Sequence, residues 1–113
     1  GKPQMSFGVM GGNMQPQGHL QSLVRMLVHG QNPQAACDAP RWKVERGLKI
    51  DIEHTMDPAL VDGLRAMGHE LAPTPDSYMD FGSGQFIWRL GDDLDDGYVA
   101  ASDSRREGQA VGF

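Results

Sequence analysis

Hydrophobic and polar residues alternate along this chain with two periods, one typical of helices and one typical of strands. The apolar run 5–10, closed by Gly11-Gly12, predicts a buried strand. Pro16 then opens a helix, because proline is tolerated at the first helical position, and His29-Gly30 ends it. The spacing of the apolar residues within this helix predicts one apolar face, made of Leu20, Leu23, Val24, Leu27 and Val28.

Two further helices and a pair of strands follow with clear start and stop signals. Asn32-Pro33 caps a short second helix, which Pro40 ends because a residue before proline avoids helical geometry. Residues 42–52 alternate apolar and charged side chains on both sides of Gly47, which predicts two half-exposed strands joined by a turn. Asp57-Pro58 starts a third helix that Gly68 ends, and its predicted inward residues are Leu60, Val61, Leu64 and Met67.

The rest of the chain reads as strands and loops. We expect a brief strand at 69–71, a loop over 73–80, and a hairpin whose strands, 86–90 and 98–102, flank the acidic turn 91–97. About three helices and five strands in mixed order predict an α/β or α+β fold. The length of 113 residues suits a single domain, 1–113, with one layered core.

Charge and composition exclude several classes of protein. The net charge is −5, and it is uneven, because residues 1–56 carry six Lys and Arg against four Asp and Glu, whereas residues 57–113 carry four against eleven. The sequence has one sparse stretch of cations, which is typical of the solvent-facing side of a strand and not of the cationic surface that nucleic acid requires. It consists of Arg41, Lys43, Arg46 and Lys49. We therefore expect no nucleic-acid partner, and no membrane partner either, since no apolar run approaches the length of a membrane span.

The glycine pair between the first strand and the first helix is the most informative local feature. Gly11 and Gly12 lack side chains, so their backbone N–H groups can approach a ligand closely. Two such donors can stabilise a developing oxyanion. The alternative is a glycine bend that only turns the chain.

Other polar residues have a structural and a chemical interpretation. His19 follows the glycine pair closely enough to be a general base, although packing is the commoner role of such a histidine. Cys37 has no neighbouring cation to lower its pKa, which favours a packing residue over a nucleophile, and a single cysteine forms no internal disulfide. The mixed polar segment 102–106 is either a solvated strand end or an internal hydrogen-bond anchor.

No arrangement of residues predicts a metal site. Asp51 and Glu53 share one face of a predicted strand while His54 points to the other face. The acidic turn 91–97 lacks the ligand positions, the central glycine and the distal glutamate of an EF-hand loop. We expect neither a metal nor a cofactor.

Several segments resemble the gamma-glutamyltransferase family, particularly its bacterial gamma-glutamyltransferase-like branch. The most specific stretch is Gly11-Gly12-Asn13-Met14-Gln15-Pro16-Gln17-Gly18-His19. The likeness continues through residues 8–10, 20–21, 29–33, 39–42, 82–86 and 100–108, and so covers nearly the whole chain.

The resemblance implies an N-terminal-nucleophile hydrolase with an αββα sandwich, of which this chain would be the C-terminal portion. It implies transfer or hydrolysis of a γ-glutamyl group, as in glutathione, or of a related acyl group, by a threonine that self-cleavage frees. The family's adjacent glycines, whose backbone forms the oxyanion hole, match Gly11 and Gly12. The threonines of this chain, Thr55 and Thr74, do not match the nucleophile, so we expect it to lie outside these residues.

These expectations define the partners. The rest of the parent enzyme, its large subunit and the first part of its small subunit, would supply the nucleophile and the acidic and serine substrate-binding residues. The well-studied transferases carry Ser-Pro before the glycine pair, where this chain has Val9-Met10, which leaves the acyl group open. We expect the isolated chain to be inactive and to self-associate. The alternative is a scaffold or interaction domain that keeps the fold without the chemistry, and the compartment stays open.

Overall fold

The chain forms two three-stranded sheets, each with its own helical cover, in a computed structural model that describes residues 1–74 and 77–112. The strands are β1 (Met5–Met10), β2 (Trp42–Arg46), β3 (Lys49–Glu53), β4 (Glu70–Thr74), β5 (Ser83–Arg89) and β6 (Tyr98–Ser102). The helices are α1 (Gln15–Leu23), α2 (Pro33–Asp38), α3 (Pro58–Ala66) and the single turn α4 (Ser77–Asp80). This mixture of elements confirms the predicted α+β class.

The first sheet has the order β1-β5-β6 and is antiparallel throughout. Phe86 lies opposite both Phe7 of β1 and Ala101 of β6, so these three residues share the face that turns toward the helices. The predicted hairpin is confirmed, since β5 and β6 pair across the acidic turn. A short 3-10 turn, Leu94–Asp96, forms its tip.

The second sheet has the order β2-β3-β4. β2 and β3 form the predicted antiparallel hairpin, and Gly47 turns the chain with a φ of 54°. β4 lies parallel to β3, and α3 makes the connection between them. A parallel pair needs such a crossover because its two strands cannot be joined by a tight turn.

The predicted helix signals are confirmed where they are local. The Asn32 side chain accepts a hydrogen bond from the N–H of Ala35 at 2.8 Å, and the Asp57 side chain accepts one from the N–H of Ala59 at 2.8 Å. Gly30 and Gly68, which follow the first and third helices, have φ values of 66° and 94°. These positive values are the backbone geometry for which glycine is favoured after a helix.

The first helix presents the opposite face from the one that its apolar pattern predicts. Gly18 is buried against β1, and a Cβ built there would lie 2.7 Å from the Val9 side chain. With 3.6 residues per turn, the residues near the far side of the helix from Gly18 point outward, so Leu20 and Leu27 are 55% and 63% exposed. The last turns, Val24–Val28, are π-helical, and only Met26 of them is buried.

Other sequence expectations also need correction. β1 is not a buried strand, because Val9 is its one fully buried residue. In α3, Val61 points inward as predicted, whereas Leu60 and Met67 are 53% and 74% exposed. The predicted loop over 73–80 contains the end of β4 and the turn α4, and residues 75 and 76 lie outside the described residues. The described chain has six strands, close to the expected number of about five.

The core is divided into two clusters instead of one layered core. The first joins β1, β5 and β6 to α2 and the π-helical turn, and consists of Val9, Met26, Ala36, Cys37, Phe86 and Ala101. The second joins β3 to α3 and consists of Ile50, Ile52, Met56 and Val61. Each sheet buries its apolar face under its own helix, which is why the two clusters are separate.

Glutamine side chains cover parts of two sheet edges. The Gln17 amide accepts from the N–H of Val44 at 2.7 Å and donates to its carbonyl at 3.3 Å. Gln21 pairs with Trp42 in the same way, at 3.0 and 2.8 Å, and Gln34 pairs with Ser102 of β6 at 3.2 and 2.9 Å. Each amide takes the place of a neighbouring strand, and such coverage discourages pairing with another chain at β2 and at the end of β6.

No helix within the described ranges is long and apolar enough to cross a membrane. Apolar side chains are nevertheless exposed on the outward face of the first helix, and β1 forms one edge of its sheet.

We expect the isolated 113-residue chain to self-associate, because exposed apolar surface and an open strand edge both favour contact with a second copy. Sedimentation velocity should show a mass above that of the monomer that rises with concentration. Replacing Leu27 and Val28 together by glutamine should lower it. Leu48→Gln, at an isolated site that is 55% exposed in the β2–β3 turn, is the control. Monomer alone at high concentration would contradict the expectation.

Candidate functional site

The glycine pair lies where β1 ends and the first helical turn begins. Gly11 has φ 130° and ψ 29°, and Gly12 has a φ of 58°, so both are in conformations that other residues rarely adopt. A 3-10 turn, Gly12–Met14, follows at once, and the Met14 N–H donates to the Gly11 carbonyl at 3.0 Å. The first N–H groups of a helical segment have no partner within it and carry partial positive charge. The pair therefore lies at a point suited to negative charge.

The two glycines differ in the space around them. A Cβ built on Gly12 meets no heavy atom within 4 Å, so this residue is open to an incoming group. Gly11 is packed, since its Cβ would lie 3.0 Å from the Cα of Gly82. Gly82, just before β5, in turn lies against the Met10 carbonyl, which a side chain at position 82 would strike. The loop is thus packed against the residue before β5 at Gly11 and open at Gly12.

His19 has an observed packing role. Its ring meets Phe7 edge-on, with ring centroids 5.4 Å apart. It also lines a groove of about 600 Å³ that runs past Met10 at the end of β1. The alternative role as a general base remains a hypothesis.

A network of buried charges lies beside this loop, and Arg41 is at its centre. Arg41 is 1% exposed, so the expectation that it belongs to the wet side of a strand is wrong. Its guanidinium forms an ion pair with Asp103 at 2.8 Å and donates to the carbonyls of Phe81 and Cys37 at 3.0 and 3.1 Å. Asp103 and Phe81 lie 62 and 40 residues away along the chain, so the local pattern around residue 41 carried no signal of its burial.

Glu53 and Arg105 complete the network. The Arg105 Nε donates to Glu53 at 2.7 Å, and its Nη1 atom lies 3.1 Å from Asp103. Glu53 also accepts from the backbone N–H of Arg41 at 2.6 Å. Glu53, which was considered above as a metal ligand with Asp51 and His54, is therefore paired with Arg105. The segment 102–106 is therefore an internal hydrogen-bond anchor and not a solvated strand end.

The network lowers the pKa of Asp103. Burial alone would raise it, but Arg41, the backbone N–H groups of Gly84 and Arg105, and the Arg105 charge together favour the ionised carboxylate. The Gly84 N–H donates to Asp103 at 2.6 Å, so the same carboxylate holds both an arginine and the start of β5.

Cys37 is a packing residue. It is completely buried in the first core cluster, and its thiol lies 3.6 Å from the Gly84 carbonyl. Burial first, and then the charge of Asp103, raise the pKa of the thiol to about 12. A thiolate is the reactive form of cysteine, so this side chain is a poor nucleophile at neutral pH.

The acidic turn is a self-contained hairpin tip. Asp93 and Asp96 cap its 3-10 turn reciprocally, and Asp92 pairs with Lys2 at 3.1 Å. No group of three or more His, Cys, Asp or Glu within 1–74 and 77–112 could hold a metal ion.

The sequence profile of the gamma-glutamyltranspeptidase family matches residues 1–113. The chain is 33% identical to the glutathione hydrolase-like YwrD proenzyme of Bacillus subtilis, over all of this chain and 22% of that protein. It is 32% identical to the oxamate amidohydrolase proenzyme of Klebsiella pneumoniae, over 96% of this chain and 21% of that protein. The chain thus spans about a fifth of the length of these curated relatives.

Solved structures show the same fold. The cephalosporin acylase of Bacillus halodurans superposes with a TM-score of 0.88 at 40% identity, over 99% of this chain and 20% of that one. A gamma-glutamyltranspeptidase of Pseudomonas nitroreducens superposes with a TM-score of 0.77 at 23% identity, over 97% of this chain and 54% of that one.

Asp103→Asn should lower the free energy of unfolding by about 3–5 kcal/mol at pH 7, because it leaves the buried Arg41 without its anion, whereas Arg105 keeps Glu53. Because the folded-state pKa of Asp103 is depressed, its contribution is present above the unfolded value of about 3.9 and is lost as the pH falls toward the folded value. Urea unfolding should therefore show the difference between the two proteins narrowing below about pH 4. Asp92→Asn, at an exposed pair, is the control and should have little effect. An equal loss in both variants would contradict the prediction.

Cys37 should resist a thiol reagent in the folded protein and react once urea unfolds it. The reason is its complete burial together with a thiol pKa of about 12. Labelling by 5,5′-dithiobis(2-nitrobenzoate) at pH 8, with and without urea, measures this. Rapid labelling of the folded protein would show that the thiol is accessible.

Proposed function

This chain belongs to the gamma-glutamyltranspeptidase family, and on that premise we propose that it is the C-terminal part of the small subunit of an acyl-transferring or amide-hydrolysing enzyme. The parent enzyme would act on a γ-glutamyl or related acyl group through an N-terminal threonine that lies outside this chain. Gly11 and Gly12 would form its oxyanion hole. The observation that carries the proposal is the glycine pair with positive φ values between a strand end and a helical turn, open on its Gly12 side.

The proposed chemistry explains why bare backbone is needed at this point. The threonine hydroxyl would attack the substrate carbonyl while the threonine's own α-amine takes up the proton. The carbonyl oxygen then becomes negative, and the N–H groups of the glycine pair would donate to it. The amine leaves with a proton, and water or a second amine takes the acyl group from the threonine. Fixed donors aimed at the developing charge are a large term in such reactions.

The buried network would position the glycine pair without touching the substrate. Arg41 donates to the Phe81 carbonyl, Gly82 follows Phe81, and Gly82 packs on Gly11. A continuous set of contacts therefore connects the ion pair to the loop. This supports a scaffold role for the network.

The acyl group is not fixed by family membership. The relatives are named as a glutathione hydrolase-like protein, an oxamate amidohydrolase and a cephalosporin acylase. These names imply different acyl groups on related scaffolds, so residues near the glycine pair would have to set the preference of this enzyme.

Gly12→Ala should lower kcat of the matured parent enzyme by about a hundredfold with little change in KM. The methyl group strains a residue with φ 58° and shifts an oxyanion donor, which acts on the transition state rather than on bound substrate. Steady-state kinetics on a γ-glutamyl anilide provides the measurement.

Gly47→Ala is a matched control for this experiment. Gly47 has φ 54° and is as open as Gly12, so alanine there produces similar backbone strain. Because Gly47 lies in the β2–β3 turn, the substitution does not alter the glycine pair. A Gly12→Ala enzyme within a fewfold of the unmodified one would contradict the oxyanion role.

The isolated chain should not hydrolyse γ-glutamyl anilides, since it carries no threonine whose own amine could act as base. Release of the chromogenic amine at the buffer rate is the expected result. Release above that rate, abolished by a substitution within this chain, would show that a nucleophile is present here.

A further inference from the structure

Met10 is the bulky apolar side chain beside the glycine pair on the outer face of the first sheet. Side chains alternate along a strand, so buried Val9 points toward the helices and Met10 points to the other side, where it is 54% exposed. The strand register places Met10 opposite Ser83 and Gly8 opposite Gln85. This end of the outer face is therefore small and polar except for one thioether.

The groove of about 600 Å³ passes this thioether. Gly8, Met10, Ser83 and Gln85 line it on the sheet, His19 lines it on the side of α1, and Arg106 and Glu107 line it from the segment after β6. Gly8 has no side chain, which leaves the floor open next to Met10. An acyl chain whose carbonyl lies at Gly11 and Gly12 has this groove as the adjoining space.

The backbone of Met10 is held while its side chain is free to adapt. Gly82 packs against the Met10 carbonyl, and Gly11 packs on Gly82, so the Cα of Met10 has a fixed relation to the glycine pair. The methionine side chain has three rotatable bonds and a polarizable sulfur, and such side chains fit apolar groups of varied shape.

We propose that Met10 is a specificity-determining residue that forms an apolar wall of the acyl pocket. This inference rests on the proposed function and names its substrate class: acyl groups with an uncharged carbon chain, preferred over γ-glutamyl. A thioether offers no strong hydrogen bond, so a charged group placed against it loses hydration without compensation from that side chain. A methylene chain gains from the same contact.

The test compares three 4-nitroanilides with the same five-carbon acyl skeleton, pentanoyl, glutaryl and γ-glutamyl, which carry no, one and two charged groups. The matured parent enzyme is assayed as wild type, as Met10→Gln and as Met10→Leu. Met10→Gln keeps the length of the side chain and makes it polar. It should lower kcat/KM for the pentanoyl substrate by about tenfold, the scale of one apolar contact, and leave the γ-glutamyl value within about threefold.

Met10→Leu should restore the preference for the pentanoyl substrate, because leucine is apolar. Met67→Gln, at a methionine 74% exposed after α3, is the control and should change none of the three values. An active wild type whose Met10→Gln variant loses the same factor on all three substrates overturns this inference alone. A wild type that cleaves none of them overturns the proposed function as well.

Discussion

The ion pair between Arg41 and Asp103 is the interaction on which the rest of this structure depends. It lies between two hydrophobic clusters that do not merge, and with Glu53 and Arg105 it joins the end of β3, the start of β2 and the segment after β6. Removing one member of a buried pair leaves an uncompensated charge, which is far more unfavourable than losing an exposed pair. The relative placement of the two sheets therefore rests on charge and hydrogen bonds as well as on apolar contact.

The same network reaches the glycine pair through the backbone. Arg41 holds the Phe81 carbonyl and Asp103 holds the Gly84 N–H, so the residues on both sides of Gly82 are fixed. Gly82 then supports Gly11. A loop that is packed at Gly11 and open at Gly12 would suit the oxyanion hole proposed for this pair.

Some parts of the surface favour contact with another chain, and other parts oppose it. Glutamine amides occupy the backbone groups of Trp42, Val44 and Ser102, which blocks strand addition there. The outward residues of the first helix and the Met10 side chain at the end of β1 remain apolar and exposed. Exposed apolar surface of this kind marks interaction or binding sites, which suits a chain that matches about a fifth of its curated relatives.

The sequence by itself determined the helices, the strands and the glycine pair, because their signals are local. Asn32 and Asp57 accept capping hydrogen bonds from N–H groups only three and two residues ahead, and Gly11-Gly12 lies between the end of a strand and the start of a helix. Only the tertiary structure decided which face of the first helix is buried, since close packing of Gly18 on Val9 overrides the apolar pattern. It also decided the burial of Arg41, whose partner Asp103 lies 62 residues away, and of Glu53, which meets Arg105 across 52 residues. Local patterns report the exposure that a charge usually has, whereas burial of a charge depends on partners that only the folded chain brings together.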